Sequence, residues 1–247
     1  MKEIISILEK NGFVFALLLV GCIIYVSYFI SRKLTNNHIP GAAIAISFGL
    51  VLAYFGEEKG FASVPGFSGL AFLGGTMMRD FAIVSTAMGA KLAEIKKTGF
   101  IGLLSILIGT VVAFIVGGSI GYAMGYTDAK SFATIGGGAC TFIVGPVTGG
   151  AVGASSDVIA ISIAIGVIKS VVVSISTPFF AKSLGLNNPQ TAMIFGGLVG
   201  STSGVSAGLA ATDPKLVPYG AITATFHTAM GCLICPSILY FLVQLFI

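Results

Sequence analysis

Charge is what this sequence has least of. Of its 247 residues only 9% are Asp, Glu, Lys or Arg, where a soluble domain carries about 25%. No polar stretch is long enough to form an aqueous domain. The net charge of +4 comes with no arginine-rich tail and no basic–aromatic interleaving, so nucleic acid is not a partner. Histidine is scarce too. Only His38 and His227 occur, neither beside a second cysteine pair, so no zinc site is read. The four cysteines, Cys22, Cys140, Cys232 and Cys235, sit in apolar runs. Cys232 and Cys235 have C-x-x-C spacing but no βαβ context, and they read as small buried residues. There is no G-x-S-x-G, no H-E-x-x-H and no P-loop lysine. The chain therefore reads as a non-enzyme without a cofactor, and not as an ATP-driven pump.

Apolar residues fill the space that charge leaves. They make up 55% of the chain, alongside 34 glycines, and mean hydropathy is +1.02. A bilayer span needs about 20 apolar residues, which leaves room for roughly six to nine segments. The first, Gly12–Ile30, is followed by Ser31-Arg32-Lys33 and reads as a transmembrane helix rather than a cleaved signal. Gly41–Phe55, Phe67–Met88, Phe100–Tyr126 and Val158–Phe180 follow, and the last run, Leu216–Ile247, exceeds one span. Pro178 is expected to end or kink its helix, and Pro236 to kink or split the final run. Gly117, Gly121 and Gly125 form a close-packing pattern for helix pairs. The expected fold is an all-α polytopic membrane protein, one domain over residues 1–247, with about 6–8 transmembrane helices.

Two stretches break the pattern. Gly145–Asp157 reads GPVTGGAVGASSD and Gly200–Asp213 reads GSTSGVSAGLAATD. Repeated glycine makes both poor membrane helices, and Pro146 weakens the first further. The two align as Gly145/Gly200, Thr148/Ser203, Gly149/Gly204, Gly153/Gly208, Ser156/Thr212 and Asp157/Asp213. Such a pair of glycine-interrupted apolar segments points to the binding site of a secondary transporter. Loop charges put Arg32, Lys33, Lys91, Lys96, Lys97 and Lys182 on one side, and Glu57–Lys59, Asp128 and Lys130 on the other. If Thr134–Ser156 is a re-entrant hairpin, the second hairpin enters from the opposite face. The two then form an inverted repeat. Two ordinary glycine-rich spans remain the alternative.

Irregular backbone at membrane depth is tolerated where protein buries it or where it lines a wet cavity. There, helix N-termini and glycine N–H groups suit an anion. Thr148, Gly149, Ser203 and Gly204 are candidate substrate contacts. Ser156, Ser201, Thr202 and Thr212 offer hard oxygens for Na⁺ or a coupled proton. Lys169 lies mid-span, where a charge costs at least about 2.5–3.5 kcal/mol. It shares a helix face with Ser162, Gly166, Ser170, Ser174 and Thr177. It either binds a substrate carboxylate or pairs with Asp157 or Asp213. His227, on a stripe with Gly220, Thr223 and Gly231, either binds or titrates, or is a hydrogen-bonded core residue. Asp157 and Asp213 either couple a cation or cap helix starts. Arg79 either clamps a carboxylate or is neutralised by Asp80.

Longer stretches carry a family resemblance. They are Met78–Val84 (MRDFAIV), Ile143–Gly149 (IVGPVTG), Gly153–Val158 (GASSDV), Thr202–Gly204, Gly208–Pro214 (GLAATDP), Val217–Ala221 (VPYGA) and Thr223–Thr228 (TATFHT). Over nearly its whole length the chain resembles the malonate/sodium symporter M subunit, MadM. Alternating access is the expected mechanism of such a transporter. The resemblance implies import of malonate with co-transported Na⁺ across a bacterial inner membrane. It also implies a smaller membrane partner, the L subunit MadL, and leaves a higher oligomer open. Another small dicarboxylate, coupling to H⁺, or a structural subunit whose partner holds the site are the readings set against it.

Overall fold

The computed structural model describes residues 11–36, 39–54, 67–73, 88 and 92–247. Among these residues every regular element is helical, as an all-α membrane protein requires. Among the described residues four helices are long and apolar enough to cross a bilayer: Gly12–Leu34, Thr98–Ala123, Ser156–Phe180 and Pro214–Gln244. The chain divides into two compact units, residues 1–85 and 86–247.

In the first unit, α1 (Gly12–Leu34) is followed by α2 (Gly41–Tyr54) and the short α3 (Gly69–Leu73). Gly69 rests directly on the α1 backbone at Gly12 and Phe13, where a Cβ would not fit. Much of α1 is apolar and exposed, Tyr25 and Leu18 included, as expected of a helix with a lipid-facing side.

The second unit begins with α4 (Leu92–Ala123), kinked at Gly99. Then come α5 (Ala129–Cys140), α6 (Val144–Val152), α7 (Ser156–Phe180), α8 (Pro189–Val199), α9 (Thr202–Ala210) and α10 (Val217–Ile234). A π-turn over Cys235–Leu239 passes α10 into α11 (Tyr240–Gln244). Pro236 accounts for the turn, because it supplies no N–H to the α-ladder. Pro178, by contrast, lies inside α7 without ending it.

Neither α5, at 12 residues, nor α6, at 9, can cross a membrane. At 1.5 Å per residue they reach about 18 and 14 Å, against a hydrocarbon core of about 30 Å. They fold against each other as an antiparallel hairpin. Gly138 meets Gly145 nearest the turn, Gly137 meets Thr148, and Thr134 meets Gly149. Asp128 caps α5 by accepting from the Ser131 N–H at 2.9 Å, so the helix begins at Ala129, five residues ahead of the Thr134 boundary expected from the glycine pattern. Gly153 closes α6 in the left-handed region, φ 69°, which glycine enters without steric cost.

The second short pair is built the same way but splayed. Asn188 starts α8 by accepting from the Thr191 N–H at 3.0 Å, with Pro189 in the first helical turn. Gly200, φ 78°, ends α8. α10 wedges between the pair, with Gly220 touching both Ala192 of α8 and Leu209 of α9.

Close contacts give the helix directions. α5 runs antiparallel to α4, since Gly117 meets Ala139 and Gly121 meets Ile135. α8 runs parallel to α4: Thr98 reaches Met193, and Gly109 meets Leu198. The first helices of the two pairs therefore point at each other along α4, and their tips meet near Gly109 and Thr110, which touch Leu198 and Cys140 respectively. α9 runs parallel to α7 and antiparallel to α10, by the pairs Gly204–Ser170, Gly208–Thr177 and Gly220–Leu209. Consequently α7 and α10 are antiparallel, and the two hairpin-plus-helix units are inverted copies.

The register of that repeat differs from the motif alignment. Gly138 meets the backbone of Ser162, and Gly196 meets the backbone of Gly220. Both steps between copies (138 to 196, 162 to 220) are 58 residues. The motif pairing of Gly145 with Gly200 is about one helical turn out. In α6 the close-packed glycines are Gly145 and Gly149, and in α9 they are Gly204 and Gly208. Glycines recur at spacing four along both stretches. A slip of one turn therefore keeps most glycine matches, and only the helix breaks reveal it.

Candidate functional site

The tips of the two hairpins are held by the two basic residues of the long helices. A helix C-terminus leaves its last carbonyls without intrahelical donors and carries partial negative charge. Lys169 of α7 answers this at the end of α5. Its Nζ donates to the carbonyls of Ala139 at 2.7 Å and Cys140 at 3.0 Å. His227 of α10 does the same at the end of α8, with Nδ1 2.8 Å from the carbonyl of Gly197. Both contacts join residues 30 apart, and Lys169 and His227 are themselves related by the 58-residue step of the repeat. They are the same structural position filled by different bases.

The fillings are chemically unlike. A carbonyl only accepts, so Nδ1 of His227 carries the proton of its bond, and Nε2 of a neutral ring is left as an acceptor. That Nε2 is buried without a partner, and a Cβ on Gly200 would collide with the ring. Lys169 instead borders a cavity of about 700 Å³ between α4 and α7, floored by α5 and α8. Its walls are apolar, with Val112 and Val116 on one side and Ile161 and Ile165 on the other, and Lys169 is the charged group that lines it. Gly200 lies against the His227 ring and its neighbour Ser201 bonds Ser170, next to Lys169, so the two held tips lie close together.

Hydroxyl groups tie the tips further. Ser170, beside Lys169, hydrogen-bonds Ser201 at 2.7 Å. Ser201 also accepts from the Gly204 N–H at 3.3 Å, and so caps α9. Thr141 plays the equivalent part before α6, accepting from Val144 N–H at 3.2 Å. Thr202 lies 3.5 Å from Thr225, hydroxyl to hydroxyl. Thr148 is fully buried beside Gly137, and its hydroxyl has no partner.

The remaining sequence candidates lie elsewhere. Gly149 packs against Ile159 and Thr134 inside the first hairpin. Ser203 is exposed. Ser156 and Asp157 are exposed in the first turn of α7, twelve residues and about 18 Å along the helix from Lys169. Lys169 is bound to carbonyls, so a pairing with Asp157 or Asp213 does not form. Asp213 accepts from the Lys215 N–H at 3.0 Å and starts the turn before α10. Thr212 donates to Gly208 at 2.9 Å. Arg79 falls outside the described residues. Sequence reasoning missed the carbonyls of Ala139, Cys140 and Gly197, which no side chain announces. It placed Ser170 on the polar stripe without giving it a role, and its only signal was adjacency to Lys169.

A protein-family model described as the malonate/sodium symporter MadM subunit matches residues 4–247. The chain belongs to the MadM family. That membership accounts for the four long apolar helices among the described residues, and it makes the protein a subunit of a membrane transporter. No curated protein and no solved structure matches the chain.

Proposed function

We propose that this MadM subunit carries the substrate site of a symporter that imports malonate with Na⁺ across the bacterial inner membrane. The supporting observation is the convergence of two inverted hairpin tips on Lys169 and His227. Malonate is a dianion with two carboxylates on one carbon. One carboxylate takes the place of the Ala139 and Cys140 carbonyls at the Lys169 ammonium. The other faces the N-terminal end of α9, where Ser201 and Gly204 lie, while His227 keeps the second tip in place. A charged carboxylate is a stronger acceptor for an ammonium than a peptide carbonyl, so substrate binding releases the first tip from α7. Release of one tip while the other stays held is a structural basis for alternating access.

Na⁺ prefers hard oxygen ligands. The hydroxyls of Thr148, Ser201 and Thr202 and the carbonyls at the tips supply them near the substrate. Asp157 and Asp213 act as helix-start groups, with Ser156 and Thr212 beside them. One observation favours a second reading. The buried, unpartnered Nε2 of His227 is a proton acceptor, which would make H⁺ the coupling ion. A smaller L subunit completes the transporter and covers part of its exposed apolar surface.

The test is reconstitution of the chain with and without the L subunit, followed by labelled malonate uptake. Uptake that needs both the L subunit and an inward Na⁺ gradient is expected. Uptake driven by a pH gradient in Na⁺-free buffer would replace Na⁺ by H⁺. Full uptake without the L subunit would remove it from the transport unit.

A further inference from the structure

Two buried thiols lie beside the site without a part in it. Cys140 ends α5, at the tip of the first hairpin, and Cys235 opens the π-turn after α10. Their Sγ atoms are 4.0 Å apart, and both residues are 0% exposed. They belong to one apolar cluster with Phe114, Val144 and Leu239, so the contact is part of the core. Cys232, at C-x-x-C spacing from Cys235, is only partly buried, and Cys235 turns to Cys140.

We propose that Cys140 and Cys235 form a redox-sensitive latch, in which a peroxide oxidises the pair to a disulfide and fixes the first hairpin tip to the last long helix. The geometry requires the sulfurs to close from 4.0 Å to about 2.05 Å. The π-turn at Cys235–Leu239 is where the helix ladder is already widened, and it offers the give for that movement. Cys140 attacks first, because Lys169 donates to its own carbonyl and a neighbouring cation favours the thiolate. The Cys140 sulfur takes one peroxide oxygen, breaking the O–O bond and giving a sulfenic acid and one water. The Cys235 thiol then attacks that sulfur, forming the S–S bond and releasing the second water. Two thiols and one hydrogen peroxide thus become one disulfide and two waters.

The latch has a functional consequence because of where it sits. In the reduced protein the tip is held by hydrogen bonds from Lys169, which can be exchanged. In the oxidised protein the same tip is joined covalently to the π-turn that follows α10. A hairpin so joined cannot leave its seat.

The experiment uses the full chain reconstituted with its partner subunit and treated with hydrogen peroxide. Free thiols are then blocked with N-ethylmaleimide, and peptides are mapped by mass spectrometry without reduction. The expected result is a Cys140–Cys235 linked peptide pair, loss of malonate uptake to background, and recovery of both with dithiothreitol. Cys235→Ser is expected to form no link and to keep its uptake under peroxide. The double variant Cys22→Ser/Cys232→Ser is expected to link and to lose uptake like the parent. No 140–235 link overturns the proposal. So does a link that leaves uptake intact, or equal inhibition of Cys235→Ser. Peptide mapping does not depend on the transported solute, so an error about malonate and an error about the latch are distinguishable.

Discussion

The two hairpin units differ most where they are most alike. Each begins with a capped short helix, crosses its long helix at a glycine, and has its tip tied by a base 30 residues downstream. In the first unit that base is a lysine holding two carbonyls at the edge of a cavity. In the second it is a histidine holding one carbonyl, with its other nitrogen sealed in. An ammonium has three donors and can pass from carbonyl to carboxylate without leaving its seat. An imidazole with a fixed tautomer has one donor to give. The copies thus share a scaffold but divide the work: the first exchanges partners, and the second stays closed.

The shared scaffold is the easiest part to break. Gly138→Val and Gly196→Val would each drive a side chain into backbone, of Ser162 and of Gly220 respectively. Each is expected to cost about 3 kcal/mol or more, since overpacking against backbone cannot be relieved by a rotamer. Loss of monodisperse protein in detergent and a lowered Tm would show it, and the two should fail alike if the repeat is real. A Cβ added at Gly150 would meet nothing within 4 Å. Gly150→Ala should be neutral or raise stability by roughly 0.5–1 kcal/mol, by helix propensity.

A weaker effect separates the two tips. His227→Ala leaves the Gly197 carbonyl without its donor and empties a filled site. A loss of about 1–3 kcal/mol is expected from an unpaired buried acceptor. His227→Gln, which can still donate, should recover part of it in a thermal-shift assay. Equal destabilisation by both variants would mean that packing, not the carbonyl, is what His227 serves.

The smallest effect is a pH dependence confined to one copy. Burial alone would push the Asp128 carboxyl up, but hydrogen bonds from Ser131 and the adjacent backbone outweigh it and hold the group below its usual 3.8. A depressed folded pKa gives stability that is present above the unfolded value and is lost as pH falls through the folded one. The cap of α5 should therefore weaken only below about pH 4. Its counterpart Asn188 does not titrate. Asp128→Asn should lower Tm slightly at pH 7 and flatten the acid limb of the Tm–pH profile, by under about 1 kcal/mol for an exposed cap. An unchanged acid limb would move the sensitivity to another carboxylate.

Much of this fold can be read from residues alone, because the membrane imposes strong rules. Gly12–Leu34 and Ser156–Phe180 announce themselves by length and apolarity, and Gly117 and Gly121 by their spacing. The hairpins are legible as poor helices. Their register is not, since glycine spacing repeats every turn and only the breaks at Thr141 and Gly200 set it. Of the site, Lys169 and His227 stand out because a base inside an apolar run is costly. Their partners do not, because a helix-end carbonyl looks the same in every residue. Asp157 and Asp213 drew attention by charge, and the structure puts them at helix starts.

The central claim is that Lys169 trades helix carbonyls for a substrate carboxylate. Lys169→Met keeps the length and apolar stem of the side chain and removes the ammonium. Labelled malonate uptake should be measured for Lys169→Met and the parent protein, reconstituted side by side with the L subunit in an inward Na⁺ gradient, after both are shown folded by thermal shift. The account predicts that folded Lys169→Met takes up malonate no faster than empty liposomes. Uptake with the parent's KM and kcat would contradict it.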